Sequence, residues 1–366
     1  MEGVGVMHAG MAVRPAIWQG RRVLLTGHTG FKGSWLSLWL QRMGAVVHGF
    51  ALAPSTTPNL FTEAGVAAGM TQTIGDVRDP TALRECLDRF APEIVVHMAA
   101  QALVRRSYAT PVETYATNIM GSVHLLDAVR TSSTVRAVLN VTSDKCYEHH
   151  ERPEGYRETD TMGGPDPYSS SKGCAELITT AYRSAFLADA GIAVATARSG
   201  NVIGGGDWSE DRLVPDVLRA FERGESVRLR YPQSTRPWQH VLEPLAGYLI
   251  LLEHMIEQEP AVAEAWNFGP DVSEAQPVSW VVDTLAGLWG SETTWVPDTD
   301  EQPKEADVLT LDSSKARARL GWSPRWSLRE SLEQIVTWHR AWLDGADART
   351  LCHAQLDAYV GGASHG

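Results

Sequence analysis

The sequence predicts an α/β fold: a doubly wound parallel sheet with a smaller, interleaved α/β lobe. Short apolar strand patterns alternate with helical patterns over the first 200 residues, as is typical of parallel sheets covered by helices on both faces. The first strand pattern leads into three evenly spaced glycines and then a helix. Several strand patterns turn polar at their carboxyl ends, which is where open parallel sheets bind ligands.

The composition is that of a globular protein and excludes two classes of partner. The chain has 366 residues, of which 43% are hydrophobic and 21% charged, and its formal net charge is −12. Nucleic acids and anionic membranes require a basic face, so we expect neither as a partner. No apolar run reaches membrane-spanning length.

The amino-terminal residues and the cysteines bear on cellular location. Residues 1–17 lack the basic start and apolar core of a secretory signal, and we predict a flexible leader there. The cysteines show neither paired spacing nor a metal-ligand pattern. We interpret them as inert thiols in a reducing cytoplasm, and we expect no metal site. They are Cys86, Cys146, Cys174 and Cys352.

The three glycines follow the first strand pattern, residues 22–26. Gly27, Gly30 and Gly33 stand in a Gly-x-x-Gly-x-x-Gly spacing, and residues 34–41 then carry apolar side chains in helical register. Glycines permit a tight turn close to a pyrophosphate, and a helix amino terminus faces its negative charge. The pattern therefore predicts a Rossmann-type dinucleotide site. Lys32 lies inside the turn, either assisting phosphate binding or as a solvated surface lysine.

The next strands give partial information on the cofactor. The second strand pattern, residues 45–52, is followed by no Asp, Glu, Arg or Lys before Glu63, so it does not decide between NAD and NADP. The third, residues 73–78, contains Asp76, which is predicted to face the adenine. Residues 79–90 predict a helix, with Asp79 as N-cap. The strand predicted over 93–100 ends in small residues that allow a flat cofactor to lie close.

Two polar groups follow the central strand pattern, residues 137–141. Ser143, Asp144 and Lys145 come directly after that strand, and Tyr168 and Lys172 stand four apart at the start of a predicted helix. Residues four apart share one helix face, so the pair can act together. A neighbouring ammonium favours the phenolate, and lowering a phenol pKa by ~3 units takes about 4 kcal/mol. The pattern suggests a site that removes the proton of an alcohol while hydride leaves the same carbon. Taken by itself, however, the Tyr-x-x-x-Lys spacing is also typical of a surface helix whose lysine extends to solvent.

The second lobe begins near residue 201. We predict an NAD-binding domain over 18–200 with returns near 238–269, a substrate lobe over 201–237 and 270–345, and a flexible tail over 346–366. Residues 111–130 and 213–223 predict helices, 194–198 and 227–230 predict strands, and 265–269 are expected to return to the sheet. Four late tryptophans are interpreted as packing residues: Trp322, Trp326, Trp338 and Trp342.

Five motifs in this order resemble the extended short-chain dehydrogenase/reductase family, and most closely its CDP-glucose 4,6-dehydratases. The resemblance runs from about Trp18 to Trp342. The motifs are Gly27-His-Thr-Gly-Phe-Lys-Gly33, His97-Met-Ala-Ala-Gln101, Thr142-Ser-Asp-Lys-Cys-Tyr147, Asn201-Val-Ile-Gly-Gly-Gly-Asp-Trp208 and Arg236-Pro-Trp-Gln-His-Val-Leu-Glu243.

The resemblance implies an NAD-dependent nucleotide-sugar enzyme and assigns residues by position. The implied catalytic residues are Ser143, Asp144, Lys145, Tyr168 and Lys172. The implied cofactor-binding residues are Gly27, Thr29, Gly30, Phe31, Lys32, Gly33, Asp76, Val77, Ala99, Ala100, Gln101, Asn118, Tyr168 and Lys172. The implied substrate-binding residues are Ser107, Asn201, Arg212, Leu213, Arg236 and His240.

The reaction that the resemblance implies is conversion of CDP-glucose to its 4-keto-6-deoxy product and water, with Asp144 as the acid at C6. Relatives acting on dTDP- or GDP-sugars carry Asp-Glu where this chain has Asp144-Lys145. Lys145 is therefore either the C5 base or an electrostatic stabiliser of the enolate, and both alternatives stay open. A nucleotide-sugar 4-epimerase, a dTDP- or GDP-sugar dehydratase and a non-catalytic cofactor-sensing protein are the alternatives. Because members of this family usually form oligomers, the resemblance implies that this chain forms a homodimer or a homotetramer.

Overall fold

The computed structural model describes residues 12–150, 154–258, 261–290, 295–298 and 308–361. Its main feature is a seven-stranded, all-parallel sheet in the order β11-β6-β5-β4-β1-β2-β3. The strands are β1 (Arg22–Thr26), β2 (Val46–Ala51), β3 (Thr71–Ile74), β4 (Ile94–His97), β5 (Ala137–Val141), β6 (Ala193–Arg198), β7 (Val202–Ile203), β8 (Val227–Leu229), β9 (Thr235–Arg236), β10 (Gln239–His240), β11 (Ala265–Asn267), β12 (Gln276–Pro277) and β13 (Trp295–Pro297).

Helices connect the strands and cover both faces of the sheet. They are α1 (Pro15–Trp18), α2 (Phe31–Arg42), α3 (Leu60–Glu63), α4 (Pro80–Phe90), α5 (Val104–Ala109), α6 (Pro111–Tyr115), α7 (Gly121–Arg130), α8 (Pro167–Tyr182), α9 (Leu213–Glu222), α10 (Leu242–Gln258), α11 (Val278–Trp289), α12 (Ser314–Leu320), α13 (Leu328–Leu343) and α14 (Ala348–Gly361). A π-helical turn over Ala116–Met120 joins α6 to α7, so residues 111–130 form one nearly continuous helical stretch, as predicted.

The alternation of side chains along the central strands divides the core between the two faces. Val23 and Leu25 of β1 point into one hydrophobic cluster, while Leu24 between them points into another. Every residue of β4, β5 and β6 is buried, as expected of parallel strands covered on both sides. The predicted doubly wound sheet is thus confirmed. Polar residues follow the carboxyl ends of its strands and lie along one edge of the sheet.

The second lobe is built from small sheets and returns to the large one. β7 pairs with β10, β9 with β12 and β8 with β13, and a third hydrophobic cluster lies under α9, α11 and α13. β11 pairs with β6 in the large sheet, which confirms the predicted return of the chain near residue 265. The exact division into domains stays a prediction.

The predictions for the two ends of the chain need correction. Residues 346–366 were expected to form a flexible tail, but α14 is a helix whose Leu356 and Tyr359 are almost fully buried. The leader prediction is also wrong for residues 12–17, because Arg14 pairs with Glu253 and α1 buries Trp18. Both errors arise because these short segments are held by packing against distant helices. Residues 1–11 and 362–366 lie outside the described residues.

The third strand is also shifted from its predicted place. It was expected over residues 73–78 and is observed as β3, Thr71–Ile74, so Asp76 lies in the turn after the strand. The helix that follows begins where predicted, with the Asp79 carboxylate accepting hydrogen bonds from the backbone N–H groups of Thr81 and Ala82.

Candidate active site

The glycine turn between β1 and α2 leaves no room for side chains. Gly27 has a φ of +78°, and a Cβ atom added to it would lie 2.7 Å from the Ala99 backbone nitrogen. A Cβ on Gly33 would lie 2.1 Å from the Gly27 carbonyl oxygen. The bare backbone at the amino terminus of α2 is therefore a fitting cradle for a pyrophosphate. Gly30 begins the helix as its N-cap.

The other residues of the turn make contacts that keep its shape. The Thr29 hydroxyl donates to the Leu52 carbonyl at 2.8 Å, which ties the turn to the end of β2. Phe31 packs against the backbone at Gly204, where an added Cβ would lie 2.9 Å from its ring. His28 lies across Gly49, where an added Cβ would come within 2.3 Å of the imidazole. A glycine at position 49 is thus required by the histidine ring, which bonds to Gln72 at 2.9 Å.

Asn118 connects the edge of the sheet to the helix that carries Tyr168 and Lys172. Its amide oxygen accepts from the Gln101 N–H at 2.8 Å, and its amide nitrogen donates to the Gln101 carbonyl at 3.0 Å and to the Ser171 hydroxyl at 2.9 Å. Ser171 directly precedes Lys172, so the asparagine positions α8 relative to the segment 99–101 that follows β4.

Asp76 and Val77 occupy the turn after β3. The Asp76 carboxylate accepts from the Arg78 guanidinium at 2.8 Å, which lowers the pKa of this carboxyl group. Val77 is buried against Gly121 at the start of α7. Their predicted contact with an adenine stays a prediction.

Ser143, Asp144 and Lys145 lie directly after β5, where Ser143 is the N-cap of a short helical turn, Asp144–Cys146. The Ser143 hydroxyl donates to Asp144 Oδ1 at 2.9 Å, and Lys145 Nζ lies 3.6 Å from the same oxygen. The Asp144 side chain is fully buried, whereas the Lys145 side chain is 27% exposed. Asp144 Oδ2 has no hydrogen-bond partner among the described residues. One carboxylate oxygen is therefore held, and the other is buried without a hydrogen-bond partner among the described residues.

Tyr168 and Lys172 share the face of α8 that meets this turn. Both side chains are buried, at 7% and 6% exposure, and Lys172 Nζ lies 6.0 Å from the centre of the Tyr168 ring. α8 begins at Pro167, with Asp166 as N-cap accepting from the Ser169 N–H at 2.9 Å. The predicted pairing of the two side chains on one helix face is observed.

The predicted direction of the Tyr168 pKa is wrong in this structure. Burial raises the pKa of Tyr168, and a hydrogen bond with Ser143 and the Arg212 guanidinium offset only part of this effect. The Lys172 ammonium donates to the Val141 carbonyl at 3.3 Å. Burial and the nearby Lys32 lower the pKa of Lys172 to about 8. The sequence pattern showed the pairing but not the desolvation that dominates it.

A buried ion pair behind the site was not found from the sequence. Arg198, at the end of β6, donates to the Glu176 carboxylate of α8 at 2.8 Å, and both side chains are 3% exposed. Thr142 and Thr196 also donate to this carboxylate, at 2.5 and 2.7 Å. The sequence feature that could have indicated this pair is Arg198, a charged residue at the end of an otherwise mostly apolar strand pattern.

Lys32 is partly buried and is not a solvated surface lysine, and its predicted contact with a phosphate stays a prediction. Its ammonium is not in solvent but donates to Ser199 Oγ at 3.2 Å and to Tyr248 Oη at 3.1 Å. Sequence reasoning did not single out Ser199, Gly200 or Tyr248, although all three lie close to Asp144 or to Lys32.

The predicted substrate-binding residues divide into two groups. Arg212 and Leu213 are partly exposed at the start of α9, and Arg212 donates to the Ala102 carbonyl at 3.0 Å. Asn201 has a left-handed φ of 46°, and its side-chain oxygen has no hydrogen-bond partner among the described residues. Arg236 is 7% exposed and donates to the Thr235 carbonyl. These four residues remain candidates.

Ser107 and His240 are both buried, as Asp144 is. Ser107 donates to the Val104 carbonyl within α5, and the His240 ring is edge-packed against Trp35 and Trp326. Their predicted contacts with a substrate stay predictions.

Comparison with known proteins identifies the family. A family model described as GDP-mannose 4,6 dehydratase matches residues 24–335, which is most of the chain. The chain belongs to the GDP-mannose 4,6 dehydratase family. Within this family it is 51% identical to the CDP-glucose 4,6-dehydratase of Salmonella typhimurium, over 94% of this chain and 97% of that protein.

Solved structures share the fold of this dehydratase-family chain. A UDP-glucose 4-epimerase from Thermotoga maritima, solved with UDP-glucose, superposes with a TM-score of 0.78 at 23% identity, covering 88% of this chain and 99% of its own. MoeE5, solved in complex with UDP-glucose and NAD, gives 0.75 at 26% identity, again over 88% of this chain and 99% of its own. The first likeness concerns the fold alone.

The described residues offer neither a membrane span nor a metal-ligand cluster. No helix there is long and apolar enough to cross a bilayer. Within the same ranges, no three His, Cys, Asp or Glu side chains are grouped as metal ligands.

Proposed function

We propose that this chain is a CDP-glucose 4,6-dehydratase, which converts CDP-glucose to CDP-4-keto-6-deoxyglucose and water. The observation that carries the proposal is the Ser143-Asp144-Lys145 turn facing Tyr168 and Lys172, in a chain 51% identical to the Salmonella typhimurium CDP-glucose 4,6-dehydratase. An acid–base pair for elimination and a pair for alcohol oxidation lie together at the carboxyl edge of the sheet.

The cofactor proposed is NAD. The bare glycine turn fits its pyrophosphate, and we assign Asp76 to its adenine and Lys172 to its nicotinamide ribose. When bound, NAD supplies the chemistry of accepting a hydride from the sugar and later returning it, so the overall reaction is redox-neutral. The NAD of MoeE5 supports the choice over NADP.

In the first step Tyr168 accepts the proton of the sugar C4 hydroxyl as that carbon is oxidised to a ketone. Ser143 lies close enough to the Tyr168 phenol to lower its pKa, and we assign its hydroxyl to hold the O4 oxygen. Because burial raises the pKa of Tyr168, the phenol needs positive charge nearby to act as a base. Lys172 and Arg212 supply that charge.

In the second step the 4-ketone acidifies the C5 hydrogen, and water leaves from C6. Asp144 protonates the departing C6 hydroxyl, since it is buried and one of its oxygens lacks a hydrogen-bond partner among the described residues. Lys145 lies 3.6 Å from Asp144 and is partly exposed, so it can reach a ligand from the solvent side. It either removes the C5 proton or stabilises the enolate.

The second lobe is proposed to hold the nucleotide diphosphate. Arg212 and Arg236 present guanidinium groups, whose planar donors suit phosphate oxygens. Asn201 adds a side-chain amide whose oxygen has no partner among the described residues. The choice of cytosine rests on the similarity to the Salmonella typhimurium relative.

The alternatives are less well supported. A 4-epimerase needs Tyr168 and Lys172 but no acid at C6, so the buried Asp144 argues for a dehydratase. A dTDP- or GDP-sugar dehydratase is disfavoured by Lys145. A protein that only senses the cofactor has no need for a serine, tyrosine and lysine gathered at one strand end.

A homo-oligomer is also proposed, with α6, α8 and their π-helical turns as its interface. These helices expose apolar side chains, of which Val112 is 80% and Leu177 61% exposed. A Leu177→Glu variant should reduce the oligomeric mass measured by light scattering, whereas Val296→Glu on β13 should leave it unchanged. A wild-type monomer at micromolar concentration would contradict the proposal.

A cytoplasmic location is proposed because the four cysteines are free thiols, as is usual in a reducing compartment.

The proposed activity is tested by incubation with CDP-glucose and NAD, followed by mass spectrometry of the sugar nucleotide. Loss of one water is the expected result, with dTDP-glucose, UDP-glucose and GDP-mannose as parallel substrates. A product of unchanged mass but altered C4 configuration would establish the epimerase instead. Binding without any conversion would establish the sensing protein.

A further inference from the structure

The side chain of Lys32 is partly buried, although lysines mostly lie exposed at protein surfaces. It belongs to the first turn of α2 and donates to the Ser199 and Tyr248 hydroxyls, which are themselves 2.6 Å apart. The Tyr248 ring centre lies 5.2 Å from the same nitrogen. Lys32, Ser199 and Tyr248 thus form one hydrogen-bonded cluster, called the Lys32 cluster below.

The Lys32 cluster adjoins Asp144. The Asp144 N–H donates to the Ser199 carbonyl at 3.4 Å. A Cβ atom on Gly200 would come within 1.7 Å of Asp144 Oδ2, so the carboxylate lies directly on the backbone that follows Ser199. Ser199, whose hydroxyl accepts from Lys32, and Gly200, whose backbone contacts the Asp144 carboxylate, are therefore consecutive residues.

The charges of the two groups act on each other. Asp144 is among the groups that raise the pKa of Lys32, while burial, the largest cause, and Arg212 lower it to about 7. An ammonium next to a carboxyl group stabilises its ionised form. When Asp144 gives its proton to a leaving hydroxyl, the carboxylate that forms is stabilised in the same way.

We propose that Lys32 is a positioning residue for the elimination step: the Lys32 cluster holds an ammonium next to the backbone that contacts Asp144 and so stabilises the carboxylate that forms when this side chain protonates the leaving hydroxyl. The inference rests on the proposed dehydratase function. It assigns to the glycine turn a second role, in which its lysine serves the sugar chemistry through Asp144.

Other titratable groups face the pair and must be held constant in any pH study. Those facing Asp144 or Lys32 from neighbouring elements are Lys145, Cys146, His149, Tyr168, Lys172 and Arg212. None of them is altered by the substitutions below.

The test is the pH dependence of water loss from the 4-keto intermediate in Lys32→Met, measured at saturating NAD. Without the ammonium the carboxylate that forms during elimination is less stabilised, so the basic limb of the profile moves up by about one unit. The maximal rate of elimination falls by up to about tenfold, while oxidation at C4 persists. Arg89→Met, which removes an exposed charge on α4, is the matched control and leaves the limb in place.

A second variant and a second readout keep the test decisive. Tyr248→Phe removes one hydrogen-bond acceptor of the Lys32 ammonium. It should move the basic limb of the pH profile in the same direction but by less, and it provides the test if Lys32→Met does not fold. Carbon-13 NMR of labelled Asp144, assigned with Asp144→Asn, follows the carboxyl titration without any substrate. An upward shift of this titration in Lys32→Met supports the inference even if CDP-glucose proves not to be the substrate. An unmoved titration and an unmoved limb overturn it.

Discussion

Glu176 on α8 accepts a hydrogen bond of 2.8 Å from Arg198 at the end of β6, and the two buried side chains tie the catalytic helix to the sheet. Glu176 stands one turn after Lys172, so the pair holds the helix close to the groups that react. Burial alone would raise the pKa of Glu176, but Arg198 and three hydrogen bonds lower it below its ordinary value.

Removing this carboxylate should destabilise the fold. Glu176→Ala leaves Arg198 buried without its partner, which costs about 3–5 kcal/mol in the free energy of unfolding. Urea denaturation measures the loss. The double variant Glu176→Leu with Arg198→Met removes both charges and should lose less than either single change. Equal stability of Glu176→Ala and the wild type would show that the pair contributes nothing.

Tyr168→Phe should abolish oxidation of the sugar. The phenol oxygen is the only change, so nucleotide-sugar binding remains while the rate of NADH formation on mixing with substrate falls at least about a hundredfold. Stopped-flow absorbance at the NADH band measures that rate. Tyr182→Phe, at the other end of the same helix, is the control. Near-normal turnover in Tyr168→Phe would refute its role as the base.

Lys145→Met should separate the two halves of the reaction. Hydride transfer from C4 does not require the lysine, whereas elimination across C5 and C6 does, so the 4-keto sugar is expected to accumulate. Solvent deuterium exchange at C5 then distinguishes its two possible roles: a lost exchange indicates the base, and a retained exchange indicates stabilisation of the enolate. Product formation at the wild-type rate would leave Lys145 with a structural role only.

Gly200→Ala tests the seat of Asp144. The new methyl group would lie 1.7 Å from Asp144 Oδ2, so the carboxylate must move and elimination should slow by about tenfold or more. Gly287→Ala in α11 is the matched control, because its Cβ meets nothing within 4 Å. Melting temperatures check that both variants fold. A Gly200→Ala enzyme as active as Gly287→Ala would show that Asp144 tolerates displacement.

Glu243 predicts how stability depends on pH. It is fully buried and accepts from Tyr359 Oη at 2.7 Å, and burial raises the pKa of its carboxyl group to about 7. A carboxyl group with a raised folded pKa contributes stability below its unfolded pKa, and this contribution is lost as pH rises towards the folded value. The ionisation of Glu243 should therefore lower the free energy of unfolding by about 3 kcal/mol between pH 4.5 and 7.

Glu243→Gln isolates that contribution. The amide cannot ionise, so the difference in unfolding free energy between the wild type and this variant should change across the window from pH 4.5 to 7. Urea titrations at several pH values measure it. A difference that stays constant with pH would show that Glu243 does not titrate there.

Much of the fold and part of the site follow from local sequence patterns. The apolar runs predicted the strands of the parallel sheet because buried parallel strands need apolar residues on both faces. The glycines predicted the turn because only a residue without Cβ fits where Gly33 meets the Gly27 carbonyl. The four-residue spacing of Tyr168 and Lys172 placed both on one face because that spacing is nearly one helical turn.

Only the tertiary structure decided the environments of these groups. Lys32 and Tyr248 are 216 residues apart in sequence, and no local pattern brings the ammonium to that hydroxyl. The burial of His240 and Ser107, the raised pKa of Tyr168 and the packing of α14 likewise depend on contacts between distant elements. Chain periodicity determines which face a side chain takes, but solvent exposure and electric charge around it are properties of the packed molecule.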